Sequence, residues 1–180
     1  MKPLFLLLLS ISLFADFKGT MLNLYQNSKY EESCNIGFNN FSSIKKDEPT
    51  LSLYAFSCLN SDFIDRLTLP ITMLKYSRDA RANAAYFSII LMQKKLLYHS
   101  LIDSYDLSKL NLPTTNYVLS KVFDFYSELG KHKKRSVYLF KDKQDKKRNY
   151  KLYVDKSSRV SKIVIEEFYD TISKKRHIYW

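Results

Sequence analysis

Glycine and proline are scarce in this chain, with three and four copies among 180 residues. Three scattered glycines supply no glycine-rich loop of the kind that cradles phosphates. So few turn formers argue against an all-β sandwich with many tight turns, and against disorder. Cysteine is scarcer still, with Cys34 and Cys58 the only two. They lack the Cys-x-x-Cys spacing of redox centres. The histidines, His99, His132 and His177, stand apart, none with a partner at zinc-motif spacing. His99 follows an apolar helix and reads as a satisfied helix-face residue. His132 and His177 fall in basic runs, where they add charge below neutral pH.

Gly-x-Ser-x-Gly and His-Glu-x-x-His are absent as well. Glu166 and Glu167 are adjacent on an expected strand, so they point to opposite faces and cannot share a substrate. Asp103 and Asp106 fall near the end of an expected helix, where they solvate the connection or cap the next element. The residues call for no metal, no cofactor and no catalytic centre. Long apolar runs are missing too. Ala84 to Met92 is stopped by Gln93, Lys94 and Lys95, which makes it part of a core helix rather than a membrane span.

What is present begins with the first 15 residues. Lys2 gives a positive start. Leu4 to Phe14 is apolar apart from Ser10 and Ser12. Ala15 offers a small residue for cleavage before Asp16, although Leu13 is bulkier than usual at its position. The run is shorter than the ~20 residues a span requires. The expectation is a signal peptide over 1–15, export to the periplasm, and no transmembrane span after cleavage.

Periodicity divides the remainder. From Gly19 to Gly130 apolar residues recur at steps of three and four, as Tyr30, Cys34, Phe38 and Phe41 do. Lys45 to Pro49 breaks the pattern and predicts a turn. Ser61-Asp62 is placed to cap a further helix, and Pro70 should break or kink it. Ser77 to Ile102 is apolar nearly all round and predicts a central buried helix. Asn111 to Gly130 follows, with Pro113 in its first turn. After Gly130 the pattern turns to β-branched and aromatic runs: Val137–Phe140, Tyr150–Val154, Val160–Phe168 and Ile172–Trp180. Short connections predict a four-stranded antiparallel meander covered by the helices. The expected fold is α+β, with a helical domain over 16–130 and a basic β-meander over 131–180.

Leu24 to Cys34 reads Leu-Tyr-Gln-Asn-Ser-Lys-Tyr-Glu-Glu-Ser-Cys. This resembles the middle of a tetratricopeptide repeat, in which Gly-Lys-Tyr-Glu-Glu-Ala joins two helices. Ser28 stands in place of the glycine and Ser33 in place of the alanine. The resemblance covers about one repeat, over residues 18–45. It implies stacked antiparallel helical hairpins that bind proteins and do no chemistry. The alternative is an irregular helical bundle.

Cys34 and Cys58 each lie 12 residues from Lys46, the middle of the predicted turn. In an antiparallel hairpin that spacing sets them at the same height, and both fall on apolar stripes. In an exported protein they are expected to form a disulfide. The alternative is two buried thiols packing as small apolar side chains.

Charge is distributed unevenly. Residues 131–180 hold 16 Lys and Arg against 6 Asp and Glu, a net +10. Residues 16–130 hold 12 of each sign. The clusters are Lys133, Lys134 and Arg135; Lys143, Lys146, Lys147 and Arg148; and Lys174, Lys175 and Arg176. They point to an acidic periplasmic protein or an anionic envelope component as partner. Interleaved tyrosines also fit nucleic acid, which export argues against. A competing explanation is that lysine on exposed strands keeps a sheet soluble. The expected function is a non-catalytic adaptor or scaffold. Alternatives are a small envelope enzyme or inhibitor with its site between helices and sheet, and a structural subunit of an envelope complex.

Overall fold

A computed structural model describes residues 17–129 and 135–180. The signal-peptide expectation and the basic residues Lys133 and Lys134 lie outside them. Within these bounds the chain forms α1 (Phe17–Gln26), α2 (Tyr30–Asn39), α3 (Phe41–Ile44), α4 (Glu48–Asn60), a 3₁₀ turn (Ile64–Leu67), α5 (Thr68–Met73), α6 (Arg78–Asp103) and α7 (Val118–Glu128). The strands β1 (Val137–Lys141), β2 (Arg148–Asp155), β3 (Lys162–Tyr169) and β4 (Ile172–Tyr179) follow.

The turn before α4 is set by Asp47. Its carboxylate accepts from the Thr50 N–H at 3.3 Å and the Thr50 hydroxyl at 2.9 Å. Pro49 sits in the first turn, where its missing N–H costs nothing. It therefore opens α4 rather than closing the helix before it. Glu48 reaches across to the start of α6 and accepts the N–H groups of Lys75, Tyr76 and Ser77 at 2.7–2.9 Å. Those three donors hold its pKa down at about 2.

α2 and α4 pack closely because of Gly37. A methyl group there would lie 2.5 Å from a ring carbon of Tyr54 and 2.9 Å from the Met21 terminal methyl. Ser33 also fits this crossing. Its hydroxyl donates to the Met21 carbonyl at 3.0 Å and lies 2.8 Å from the Ser57 hydroxyl. At the next residue of each helix, Cys34 and Cys58 are joined in a disulfide with Cα atoms 4.8 Å apart.

Three expectations for the helices are corrected. Ser61 ends α4 instead of starting a helix, and Asp62 follows it with φ at +65°. A short acidic side chain tolerates that left-handed conformation. α7 starts at Val118, not Asn111, because 109–117 runs as loop with Pro113 in it. Gln93, buried in α6, donates to the Pro113 carbonyl at 3.0 Å and accepts from Ser120 of α7, which ties that loop and helix to α6. Finally, α6 is not buried all round. Phe87, Ile90, Leu97 and Leu101 form its core stripe, whereas Ala85 and Met92 are exposed. Pro70 is accommodated in the first turn of the short α5.

The four strands form an antiparallel meander in the order β1-β2-β3-β4. Tyr138, Phe140, Tyr150, Leu152, Ile163, Ile165 and Tyr179 are buried and share one face by strand alternation. That face packs on the helices. Phe125 of α7 stacks on Phe140 at 5.8 Å, and Tyr126 meets Tyr138 edge-on at 5.1 Å. The fold is α+β with the sheet packed on the helices, as the change of period predicts. Among the described residues no helix is long and apolar enough to cross a membrane.

Candidate functional site

In a meander the first and third turns fall at the same end of the sheet. Here the β1–β2 loop and the β3–β4 turn meet directly: the Asp170 N–H donates to the Lys147 carbonyl at 2.6 Å. Lys147 sets its ammonium 5.8 Å from the centre of the Tyr169 ring. Arg148 and Lys174 line one cavity of about 310 Å³, together with Tyr150, Glu167, Phe168 and Tyr169. Lys146 is exposed on the loop beside them. Two of the sequence clusters, the hairpin loop and the start of β4, thus meet through Lys147, Arg148 and Lys174.

The other basic residues are placed differently. Lys143 pairs with Glu128 of α7 at 2.6 Å. Lys175 donates to the Asn60 carbonyl at 3.2 Å. Arg176 stands on the outer face at the edge of ion-pair distance from Asp155 and Glu166, 3.9 and 4.0 Å. Arg135 lies at the opposite end of the sheet, just before β1. Arg148 is partly satisfied by Asp145 at 3.4 Å. That leaves Lys146, Lys147 and Lys174, which have no carboxylate within ion-pair distance among the described residues.

The loop carrying these lysines is fixed from below. Asp142 is buried, accepts the Tyr150 hydroxyl at 2.8 Å and the Gln144 N–H at 2.9 Å, and lies 3.3 Å from the Lys121 ammonium. Burial alone would raise its pKa, but these donors outweigh it and hold the carboxyl at about 2. The same contact pushes Tyr150 well above the usual phenol range, burial and the Asp142 charge acting together.

Sequence reasoning missed the seam between sheet and helices. His177 is 2% exposed. Its Nδ1 lies 2.8 Å from Asp62 Oδ1 and its Nε2 lies 2.8 Å from Glu167 Oε1. Carboxylate oxygens on both sides of the ring favour its protonated form, in which both nitrogens donate. Tyr117 and Tyr179 also donate to Asp62 Oδ1, at 2.9 and 3.2 Å. Burial alone would lower the His177 pKa. The two carboxylates outweigh it, and the net direction is up. Burial and the neighbouring Asp62 charge drive both tyrosines well above the phenol range.

Next to this network, buried Lys94 holds Asp65 at 2.6 Å and donates to the Trp180 carbonyl. Tyr179, not Trp180, is the side chain that seats the last strand. The Trp180 ring is half-exposed, with Lys162 beside it. Comparison with protein-family models, with curated proteins and with solved structures finds no match.

Proposed function

We propose that this chain is an exported periplasmic adaptor without catalytic function. Its helical body gives shape, and the basic end of its sheet contacts an acidic protein or an anionic envelope component. The observation that carries this is the trio Lys146, Lys147 and Lys174 at one end of the sheet, beside Tyr169, with no neutralising carboxylate among the described residues. A built sheet end that keeps three unpaired cations presents a positive potential outward. Lysine-rich edges that serve solubility alone have no need of the aromatic and cavity beside them.

Two further features support the reading. The disulfide fits an oxidising compartment, which export would provide and in which nucleic acid is no ordinary partner. Ser28 has φ at +60° between α1 and α2, at the position where tetratricopeptide repeats carry glycine. Buried Ser33 stands at the family's small alanine position, where the helices cross. Both fit a helical hairpin of that kind.

The test is capture from envelope extract at low and high salt, using the full chain and the triple variant Lys146→Glu, Lys147→Glu, Lys174→Glu. Expected is a partner captured at low salt, released at about 0.5 M salt, and not captured by the variant. A parallel assay on vesicles containing phosphatidylglycerol separates a lipid from a protein partner. Capture that resists both salt and charge reversal would sink the electrostatic claim.

A further inference from the structure

A cavity of about 800 Å³ opens between the end of α6, the segment after it, α7 and the first two strands. It lies at the opposite end of the sheet from Lys146, Lys147 and Lys174. Its walls are phenolic and hydroxylic. Tyr105 contributes a partly exposed ring, buried Tyr126 and Tyr138 line it from the core side, and five serines line the space, Ser100, Ser104 and Ser136 among these. Arg135 and Lys156 also line it, together with one carboxylate, Asp106. Neither cation has a carboxylate within ion-pair distance among the described residues.

The walls are held in place by the fold. The Ser100 and Tyr126 hydroxyls lie 3.2 Å apart inside the protein. The Arg135 N–H donates to the Tyr138 hydroxyl at 3.1 Å, which fixes the backbone beneath the guanidinium. Ser104 ends α6 with φ at +62°, which turns the chain away from the helix axis. Beyond that turn Tyr105 stacks on His99 at 4.7 Å and remains partly exposed.

This lining matches one ligand chemistry. Serine and tyrosine hydroxyls both donate and accept, as the hydroxyls of a sugar do. Aromatic faces pack against the apolar faces of pyranose rings, and sites of this volume hold drug-sized ligands, about two or three rings. Two cations against the single carboxylate of Asp106 leave the wall net positive, which favours an acid on the ligand. Among the described lining residues there is no Asn or Gln, the side chains that pair with nucleobase edges. We propose that the cavity binds a short acidic saccharide, with a ring against Tyr105, its hydroxyls at the serines and its carboxylate or phosphate at Arg135 and Lys156.

The test is calorimetric titration of the full, disulfide-bonded chain. The probes are trigalacturonic acid and the N-acetylglucosamine–N-acetylmuramic acid disaccharide as carboxylates, trehalose 6-phosphate as a phosphate, and neutral chitotriose. Expected is binding of at least one acidic probe with Kd below about 1 mM, at least fivefold tighter than the neutral one. Arg135→Ala with Lys156→Ala, both at the surface, should remove that preference, a loss of about fivefold or more. Tyr105→Ala should weaken acidic and neutral probes alike. The Lys146/Lys147/Lys174 triple-Glu variant should bind saccharide unchanged, so this site can fail without the adaptor reading failing, and the reverse. No heat from any acidic probe at about 5 mM overturns the proposal. So does an acidic preference that survives loss of both cations, or one abolished by the triple-Glu variant.

Discussion

The helical body and the sheet use their charged residues in different ways. In the body, carboxylates are structural parts. Asp47 caps α4 and holds Lys18, Glu48 caps the approach to α6, and Asp65 takes Lys94 and Lys95. Charges of the two signs balance, and the helix termini consume much of the acid. In the sheet, six acids face 16 cations across 131–180, so cations are in excess. Glu166 draws Lys151 and Arg176 together on the outer face, Asp145 takes Arg148, and Lys146, Lys147 and Lys174 are among the lysines at the hairpin end with no carboxylate partner among the described residues. On the proposed function, contact belongs to the sheet and stability to the body. At the seam an acid of the body, Asp62, is met by a buried cation of the sheet, His177, as exposed Glu128 of α7 is met by Lys143.

The largest expected effect tests the body. The disulfide spans a sequence separation of 24 residues, and cross-linking such a loop restricts the unfolded chain. Replacing Cys34 and Cys58 by serine should cost about 3.5 kcal/mol on the chain-entropy argument. Urea denaturation with and without reductant measures it. If stability comes from the body, partner capture by the folded variant should not change. A cost well below 1 kcal/mol would show that the Gly37–Tyr54 crossing holds α2 on α4 without the bridge.

The meander was legible because its signals are local. Alternation in Tyr150–Val154 and short polar connections between runs give both strands and their order. The disulfide was legible for a related reason: a hairpin turn near Lys46 and equal spacing on either side suffice. The bounds of α6 follow from Ser77, whose hydroxyl accepts from Ala80 N–H at 3.1 Å. The start of α7 was not legible, because Pro113 satisfies the rule for a helix start equally well in a loop held by Gln93. His177 was half legible. Its alternation with Tyr179 already places both on one face of β4, and pairing with β3 brings Glu167 within diagonal reach. Asp62 could not be anticipated, since its role depends on how the sheet docks on a helix end more than a hundred residues earlier. Whether the basic clusters merge likewise depended on which turns share an end of the sheet.

A smaller effect tests the seam. Removing the His177 ring would leave Asp62 and Glu167 facing each other without a cation, partly screened because both reach some solvent. His177→Ala should therefore cost roughly 2 kcal/mol at pH 6, less than for a fully buried pair. The pH dependence has a definite sign. With its pKa raised above the ordinary 6.5, His177 stabilises the fold fully below that value, and the contribution is lost as pH climbs through the raised folded value. Glu167, held down by His177, acts in the opposite sense: its contribution is present above the ordinary carboxylate range and disappears on acidification. Denaturation midpoints between pH 5 and 9 should fall on the alkaline side in the native chain and stay flat there in His177→Gln. Parallel profiles would mean that the seam is held by apolar packing of Tyr179 and not by the ion pairs.

The smallest effect separates the two uses of charge within one loop. Lys143 and Lys146 are three residues apart, yet among the described residues only Lys143 of the two has a carboxylate partner, Glu128 of α7. Both members of that pair are more than half exposed, so solvent screens it and its removal should cost roughly 0.5 kcal/mol. Lys143→Ala should thus lower the melting temperature slightly and leave partner capture unchanged. Lys146→Glu, with no partner to lose, should leave melting unchanged and weaken capture. A double-mutant cycle between Lys143 and Glu128 checks that the first effect belongs to the pair. If Lys143→Ala weakens capture as much as Lys146→Glu does, the division between structural and contact charge does not hold even over three residues. The basic end would then act through its summed field rather than through the lysines that the fold leaves unpaired.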